Sequence, residues 1–166
     1  MAAKTRKQTT PKATRPSIPG YGLAKSKKGL LAWKWAETRL RKSRQYWIAT
    51  SRPDGRPHLM IVWGLWWDGA FYFCTGETSR KARNLRANPS CVIGSEQADQ
   101  AVILEGTVEL LTDPDKRRKF GKLYQRKYKM DMEGFSEPVY VVHPRVVFGF
   151  WEKKFVNTAT RWQFRG

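Results

Sequence analysis

The nine residues Phe73-Cys74-Thr75-Gly76-Glu77-Thr78-Ser79-Arg80-Lys81 join the end of an apolar strand to the start of a helix. A helix N-terminus presents unpaired backbone N–H groups and the positive end of the helix dipole, and both favour anions. Thr75 and Ser79 add hydroxyl donors, while Arg80 and Lys81 add positive charge that suits a phosphate. The stretch is therefore typical either of a phosphate site or of an ordinary capped helix with two surface cations.

Short apolar strands, separated by turn residues such as Asp68-Gly69, surround this stretch and alternate with amphipathic helices. We predict helices over residues 30–43, 78–88 and 113–128, the last with Asp113 as N-cap and Pro114 at the first helical position. We predict strands over residues 46–51, 57–67 with a bend at Gly64, 70–75, 90–95, 101–111, 139–142 and 146–151, with a turn at His143-Pro144. The expected fold is mainly β with flanking helices, a closed or nearly closed barrel of six or seven antiparallel strands.

The charge of the chain is unevenly distributed. The 166 residues (19.3 kDa), enough for one domain, carry a net charge of +18. Residues 1–44 hold 13 Lys or Arg and one acid, whereas residues 45–166 hold 19 and 13. Residues 1–29 also lack a hydrophobic period, so we predict a flexible basic arm over 1–29 and one folded domain over 30–166.

Several classes of protein are not expected from this composition. No apolar run approaches the roughly 20 residues of a membrane helix, and no apolar stretch that would make a secretory signal follows the basic N-terminus. Cys74 and Cys91 are too few for a disulfide scaffold, so we expect small core residues in a reducing cytoplasm. With only His58 and His143, we predict no metal site and no catalytic side-chain set.

Several segments resemble the pyridoxamine 5′-phosphate oxidase-like, FMN-binding split-barrel family. The resemblance covers about residues 30–164. It is carried by Tyr46-Trp47-Ile48-Ala49-Thr50, by Arg52-Pro53-Asp54-Gly55-Arg56-Pro57-His58, by Asp68-Gly69-Ala70-Phe71-Tyr72-Phe73 with Thr75, by Ser79-Arg80-Lys81-Ala82-Arg83-Asn84-Leu85, and by Asn88-Pro89.

The resemblance implies a split β-barrel and a flavin-dependent oxidoreductase that acts on a small molecule. It implies a homodimer with two FMN sites at the subunit interface. Thr75, Ser79, Arg80 and Lys81 would hold the flavin phosphate. The backbone of Leu59, Met60, Ile61 and Val62 would lie along the isoalloxazine edge, with His58 as a further donor. Trp151 and Arg161, ten residues apart as in the family pattern, would close over the flavin from the partner chain.

The chain departs from the vitamin B6 oxidases at the residues that grip their substrate. Those enzymes place Arg-Leu-His before the last arginine of their C-terminal motif, where this chain has Asn157, Thr158 and Ala159. An arginine commonly opens their flavin-facing strand, where His58 or Leu59 stands here. We therefore do not expect vitamin B6 oxidation, although Trp63, Trp66 and Trp67 could line a flat pocket for another aromatic ring.

Three alternatives remain open. One is a flavin store or haem-degrading relative of the same fold, although neither histidine is an evident haem ligand. A sister group of the same fold uses a 5-deazaflavin cofactor, whose acidic tail would suit a basic surface. A basic barrel that binds nucleic acid has the necessary charge and aromatic residues. Against nucleic-acid binding, most of the excess charge lies in the arm rather than in the folded domain.

Overall fold

The computed structural model describes residues 10–164, in which nine strands and four α-helices alternate. The helices are α1 (Trp33–Lys42), α2 (Arg80–Ala87), α3 (Pro114–Tyr128) and α4 (Phe155–Thr158), the last preceded by a 3₁₀ turn over Glu152–Lys154. The strands are β1 (Lys12–Thr14), β2 (Tyr46–Ser51), β3 (Pro57–Val62), β4 (Gly64–Trp67), β5 (Ala70–Cys74), β6 (Ser90–Ser95), β7 (Gln100–Leu110), β8 (Val139–Trp151) and β9 (Thr160–Gln163).

The strands form one antiparallel sheet with a split. Its main path runs β1-β9-β8-β7-β6-β2-β3, and β5 pairs with both β4 and the first part of β8. Trp63 alone separates β3 from β4, and among the described residues these two strands do not pair with each other. The bent segment formed by β3 and β4 therefore links the two parts of the sheet. Its first half, β3, pairs with β2, and its second half, β4, pairs with β5. This confirms the predicted mainly β, split-barrel fold.

Two apolar clusters hold the sheet and helices together. The larger fills the barrel beneath α1 and α2 and includes Leu40, Ile48, Phe71 and Trp162. The smaller lies between the sheet and α3, whose Phe120, Tyr124 and Tyr128 recur every four residues and form one buried face. Successive residues of β5 alternate between the two clusters, so this strand is buried on both sides.

The observed strands differ from the prediction in number and in how two stretches of the chain divide into strands. Residues 57–67 are two strands, β3 and β4, because the chain changes partner at Trp63. The predicted turn at His143-Pro144 is wrong, since β8 continues through it. Pro144 lies opposite Gly106, where the register shifts, and an irregularity of the ladder tolerates a residue without an N–H group. Strands β1 and β9 were missed because three or four residues are too few to display alternation.

Three of the four α-helices were predicted, and only the short α4 was not. Asp113 caps α3 by accepting from the backbone N–H groups of Asp115 and Lys116, and Pro114 occupies the first position. Helix α1 begins at Trp33 rather than at residue 30. No helix in the described residues is long and apolar enough to cross a membrane.

Part of the predicted flexible arm makes specific contacts. Residues 1–9 of the arm lie outside the described residues, but β1 pairs with β9, and Pro11 and Pro16 are buried. Residues 11–16 of the arm therefore pack against the folded domain, although they show no hydrophobic period. The boundary between arm and domain at residues 29 and 30 stays a prediction.

Candidate functional site

The start of α2 brings together the two hydroxyl groups that the sequence analysis selected. Ser79 has extended backbone dihedrals, as an N-cap requires, and its Oγ accepts from the N–H of Ala82 at 3.2 Å. The Oγ1 of Thr75, just past the end of β5, donates to the Oγ of Ser79 at 3.1 Å. Thr75, Ser79, Arg80 and Lys81 therefore form one local group, which we call the cradle.

The cradle concentrates positive charge at the positive end of a helix dipole. Arg80 is exposed and Lys81 half-buried, and neither forms an ion pair within residues 10–164. Burial lowers the pKa of Lys81, and the first turn of α2 holds no acid. Cations are unfavourable beside a helix N-terminus, whereas an anion is favoured there by the dipole, by the N–H groups and by both side chains.

The β2–β3 hairpin adds His58 and a third cation, Arg52, beside the cradle. His58 lies on β3 opposite Thr50, with 3.4 Å between His58 Nδ1 and Thr50 Oγ1. The pKa of His58 is lowered by burial and then by the positive charges of Arg52, Lys81 and Arg80. Cations from both the hairpin and the helix thus surround His58, which favours its neutral form.

Arg52 and Asn84 are two residues of this region that the sequence analysis did not select. The Nε of Arg52 and the Oδ1 of Asn84 are buried without a partner in the described structure, while Asn84 Nδ2 donates to Thr50 Oγ1 at 2.9 Å. No local pattern pointed to Arg52, because residues 52–56 have the composition of a turn and predict nothing more. Asn84 carried a usable signal, since an amide next to Leu85 on the inner side of a helix needs polar partners.

Strand β3 is an exposed edge of the sheet. It pairs only with β2, so along its other side the backbone N–H and C=O groups have no ladder within the described residues. Val62 is buried, but Leu59, Met60 and Ile61 are exposed by 57%, 46% and 47%. Three consecutive exposed apolar residues on an unpaired edge indicate that something covers this strand.

The sheet presents a continuous outer face that includes Arg161. Paired residues of seven strands form one row across it, which we call the outer row: Ile61, Trp47, Gly94, Ile103, Phe148, Arg161 and Thr14. Their chain neighbours Ile48, Ile93 and Trp162 are fully buried, so the outer row points away from the core. Within one chain, four strands separate the strand of Arg161 from β3.

Trp151 and Arg161 do not lie together in a single chain. Trp151 packs against the larger core cluster at the end of β8, with the Nζ of Lys154 4.9 Å from its ring centre. Strand alternation places Trp151 on the opposite face from Phe148, and hence from Arg161, which is paired with Phe148. Their joint closure over a flavin stays a prediction.

The three tryptophans near the bend do not form one flat pocket. Trp66 is buried in the larger cluster, and Trp67 packs on the smaller one with the Nζ of Lys119 4.8 Å from its ring centre. Trp63 is exposed, but its ring stacks on Tyr128 at 4.6 Å between ring centres. The hypothesis of a pocket shared by all three is wrong, because Trp66 faces the larger cluster whereas Trp63 and Trp67 face the smaller one.

A comparison of the sequence with models of known protein families gives a match that covers most of the folded domain. The sequence model of the pyridoxamine 5′-phosphate oxidase family matches residues 33–151, from the start of α1 to the end of β8. This chain belongs to the pyridoxamine 5′-phosphate oxidase family. No curated protein matches the chain.

Several other proteins of known structure share this fold. A conserved hypothetical protein from Mycobacterium tuberculosis is 22% identical with a TM-score of 0.63, over 84% of this chain and 89% of that one. An F420 reductase is 23% identical with a TM-score of 0.56, over 67% and 94%. An FAD-binding protein from Mesorhizobium loti is 16% identical with a TM-score of 0.58, over 79% and 94%.

In this member of the pyridoxamine 5′-phosphate oxidase family, the residues present fit a phosphorylated flavin. The cradle supplies hydroxyl donors, two cations that form no ion pair among the described residues, and a helix N-terminus for a phosphate. The unpaired edge of β3 offers backbone donors and acceptors for a flat heterocycle. Within residues 10–164, no three His, Cys, Asp or Glu side chains are grouped as they would be around a metal ion.

Proposed function

We propose that this chain is a flavin-dependent oxidoreductase that binds FMN between two copies of itself. The observation that carries the proposal is the cradle of unpaired cations at the start of α2, beside the unpaired edge of β3. FMN has a phosphate and a flat polar ring, so its site needs an anion-binding group next to a row of backbone donors and acceptors.

Each group of residues has a separate task in this proposal. Thr75, Ser79, Arg80 and Lys81 bind the phosphate, and the backbone of residues 59–62 binds the ring edge. His58 is held neutral by the surrounding cations, so it can donate a hydrogen bond without adding charge. When bound, FMN supplies the hydride chemistry, while the chain binds it, orients it and excludes water.

The second copy supplies the wall that one chain lacks. A flavin needs a concave site that covers most of its surface, whereas the cradle and β3 lie on the outside of the barrel. The apolar outer face extends from exposed Ile61 and Trp47 to Phe148 and ends at Arg161. A two-fold interface on this face would bring Arg161 of each copy toward the other copy's cofactor site.

The substrate is a small molecule other than pyridoxamine 5′-phosphate. Thr158 and Ala159, at two of the three positions where vitamin B6 oxidases bind substrate, are buried. The carbonyl groups of Asn157 and Ala159 already accept hydrogen bonds from Arg15. This segment therefore offers little to a phosphorylated pyridine, which supports a different substrate.

A 5-deazaflavin is the alternative cofactor of the same site. The similarity to an F420 reductase favours it, and so does the additional cation Arg52 near the cradle, which suits a more acidic ligand. Parallel titrations with FMN and with a 5-deazaflavin separate the two. We expect the tighter binding with FMN, and a clear preference for the deazaflavin would reverse the assignment.

Nucleic-acid binding is a second candidate function, favoured by the charge of α3. This helix holds seven Lys or Arg residues and one acid, an excess of six, which equals the whole excess of residues 45–166. Replacing Arg118, Lys122 and Arg126 with Gln should weaken binding of a single-stranded oligonucleotide at 0.15 M salt and reduce its salt dependence. Equal binding by a control with Gln at Lys34, Lys42 and Lys153 would support it, whereas no binding by the unmodified protein would exclude it.

The proposed flavin site is tested by removing the two cradle cations. Arg80→Ala with Lys81→Ala should weaken FMN binding at least tenfold, since each charge-assisted hydrogen bond contributes about 1.5–3 kcal/mol. The matched control, Lys34→Ala with Lys42→Ala, removes two exposed charges from α1. Fluorescence titration that finds equal FMN affinity in a folded cradle variant would overturn the assignment.

A further inference from the structure

The N-terminal segment over residues 11–31 lies along the C-terminal segment that carries Arg161. We call residues 11–31 the N-terminal clasp. Its strand β1 pairs Thr14 with Arg161 and Lys12 with Gln163, so that β9 lies between β1 and β8. Without the clasp β9 would be an edge strand of four residues, held from one side only.

Arg15 is the centre of the clasp. Its Nη1 donates to the carbonyl oxygens of Asn157 and Ala159, both at 2.9 Å. Its Nη2 donates to the carbonyl oxygens of Ser26 and Lys28, at 2.9 and 3.1 Å. One guanidinium therefore joins the two segments through four backbone carbonyls, a task that the single ammonium group of lysine cannot perform.

Further contacts on either side of Arg15 hold the same stretch of the C-terminal segment. The N–H of Leu31 donates to Thr160 Oγ1 at 2.8 Å, and Thr14 Oγ1 donates to the carbonyl oxygen of Arg161 at 3.3 Å. Gly29, at φ +84°, approaches so closely that a Cβ would lie 2.7 Å from the carbonyl oxygen of Asn157. The clasp thus restrains the backbone at Asn157, Ala159 and Arg161 and the side chain of Thr160.

The consequence concerns the direction of the Arg161 side chain. Arg161 belongs to the outer row, and within the described residues its only side-chain partner is Gln163, at 3.3 Å. Nothing on the side chain itself fixes its position strongly, so its direction depends on the backbone of β9. That backbone is fixed on one side by β8 and on the other by the clasp.

We infer that Arg15 is a positioning residue for the cofactor site, acting through Arg161. The inference rests on the proposed function, in which Arg161 reaches the cofactor of the partner copy. Arg15 does not touch the cofactor in this account. Arg15 holds the backbone of β9 in place, and that backbone sets the direction of the Arg161 side chain across the outer face.

A double-mutant cycle on the full chain tests this inference. FMN affinity is measured for Arg15→Gln, for Arg161→Gln and for the double variant. We expect each single variant to weaken binding about fivefold or more, and the double variant to bind no more weakly than Arg161→Gln alone, because coupled residues are not additive. Lys12→Gln, which removes an exposed charge from the same strand, is the matched control and should bind like the unmodified protein.

The outcomes separate the inference from the function on which it rests. Additive losses would overturn it, because Arg15 would then act independently of Arg161, as would unchanged affinity in folded Arg15→Gln. Unchanged affinity in Arg161→Gln would overturn the role of Arg161 and this inference, and leave FMN binding at the cradle standing. An unmodified protein that binds neither FMN nor a 5-deazaflavin would overturn both proposals.

A milder variant serves if Arg15→Gln does not fold. Thr14→Val removes only the hydroxyl bond to the carbonyl oxygen of Arg161 and keeps the volume of the side chain. Hydrogen exchange should then be faster at the β9 amides than in the unmodified protein, with the melting temperature nearly unchanged. FMN binding should weaken in Thr14→Val but not in Thr14→Val combined with Arg161→Gln, and an equal loss in both backgrounds would contradict the inference.

Discussion

Ser79 serves the helix and the cradle with the same oxygen atom. Its Oγ accepts from the N–H of Ala82 as an N-cap, and it also accepts from the hydroxyl of Thr75. Stability and binding are therefore linked at this residue, and a substitution that removes the hydroxyl affects both. An aspartate at the same position would separate them, because it caps a helix well but repels a phosphate.

Ser79→Ala should lower both the melting temperature and the affinity for FMN. A lost N-cap costs about 1 kcal/mol, which corresponds to about 3 °C in a chain of this size. Ser79→Asp should keep the melting temperature of the unmodified protein while FMN binding weakens at least as much as in Ser79→Ala. Thermal melting and fluorescence titration measure the two effects, and a Ser79→Asp variant with undiminished FMN affinity would contradict the phosphate role.

Lys127 is a second residue whose environment has a measurable consequence. Its Nζ donates to Tyr46 Oη and to the carbonyl oxygen of Gly64, both at 2.9 Å, which ties α3 to the bend between β3 and β4. Burial lowers the pKa of Lys127 to about 8. The folded protein therefore loses this proton at a lower pH than the unfolded chain does.

The contribution of Lys127 to the free energy of unfolding should rise between about pH 8 and pH 9. In this interval the unfolded chain keeps the Lys127 proton and the folded protein releases it, so this contribution increases with pH. The raised pKa values of Cys74 and Cys91 act in the opposite direction in the same interval, because the thiols of the unfolded chain begin to lose their protons there, and they do so with or without Lys127. Urea denaturation at pH 7.5 and pH 9.0 should therefore show a more favourable change of stability with pH in the unmodified protein than in Lys127→Met, and an equal change in both would exclude Lys127 as a source.

At the scale of single elements, local signals predicted most of the fold. Asp113 as N-cap and Pro114 at the first helical position were sufficient to define the start of α3. The same kind of local signal predicted the start of α2 within two residues of its observed position, next to Thr75. These features depend on residues within one turn of each other, so the sequence contains them directly.

The parts that were missed depend on partners far away in the chain. Strand β1 exists because β9 lies beside it, although the two are separated by about 150 residues. Strand β8 continues through Pro144 because the partner strand β7 has an irregularity at Glu105 and Gly106. Arg52 joins the cations around His58 only when the hairpin folds against α2. No local pattern reports such long-range pairing.

The irregularity in β7 predicts a large effect of a small substitution. A Cβ at Gly106 would lie 2.4 Å from the carbonyl oxygen of His143 and 2.8 Å from Val142 Cγ1. Gly106→Ala should therefore force β7 and β8 apart and destabilise the protein by about 1–3 kcal/mol, as overpacking does. Gly94→Ala is the control, because its Cβ would meet nothing closer than 3.7 Å. Equal stability of both variants in urea would contradict the close pairing at this point.

At the scale of the whole molecule, the apolar outer face is the feature that one chain does not explain. The outer row contains Ile61, Trp47, Ile103 and Phe148 on the side of the sheet away from the core. Ile61 and Trp47 are exposed and Ile103 and Phe148 half-buried, and a contiguous apolar surface of this kind is typical of an interface. The proposed dimer covers this face and completes the cofactor site with the same contact.

Trp47→Glu should produce a monomer that binds FMN weakly. The substitution places a charge in the outer row, where the proposed partner would have to bury it, and an unpaired buried charge is costly. Leu110→Glu is the control, since Leu110 is also exposed but is not part of the outer row. Sedimentation and FMN titration should show both losses in Trp47→Glu and neither in Leu110→Glu, and a dimeric Trp47→Glu would place the interface elsewhere.

The most direct test of the shared cofactor site is native mass spectrometry of the protein after FMN is added. The predicted result is a species near twice 19.3 kDa that carries two FMN molecules, with no FMN on the monomer. An FMN-loaded monomer, or a dimer that takes up no FMN, would contradict the account.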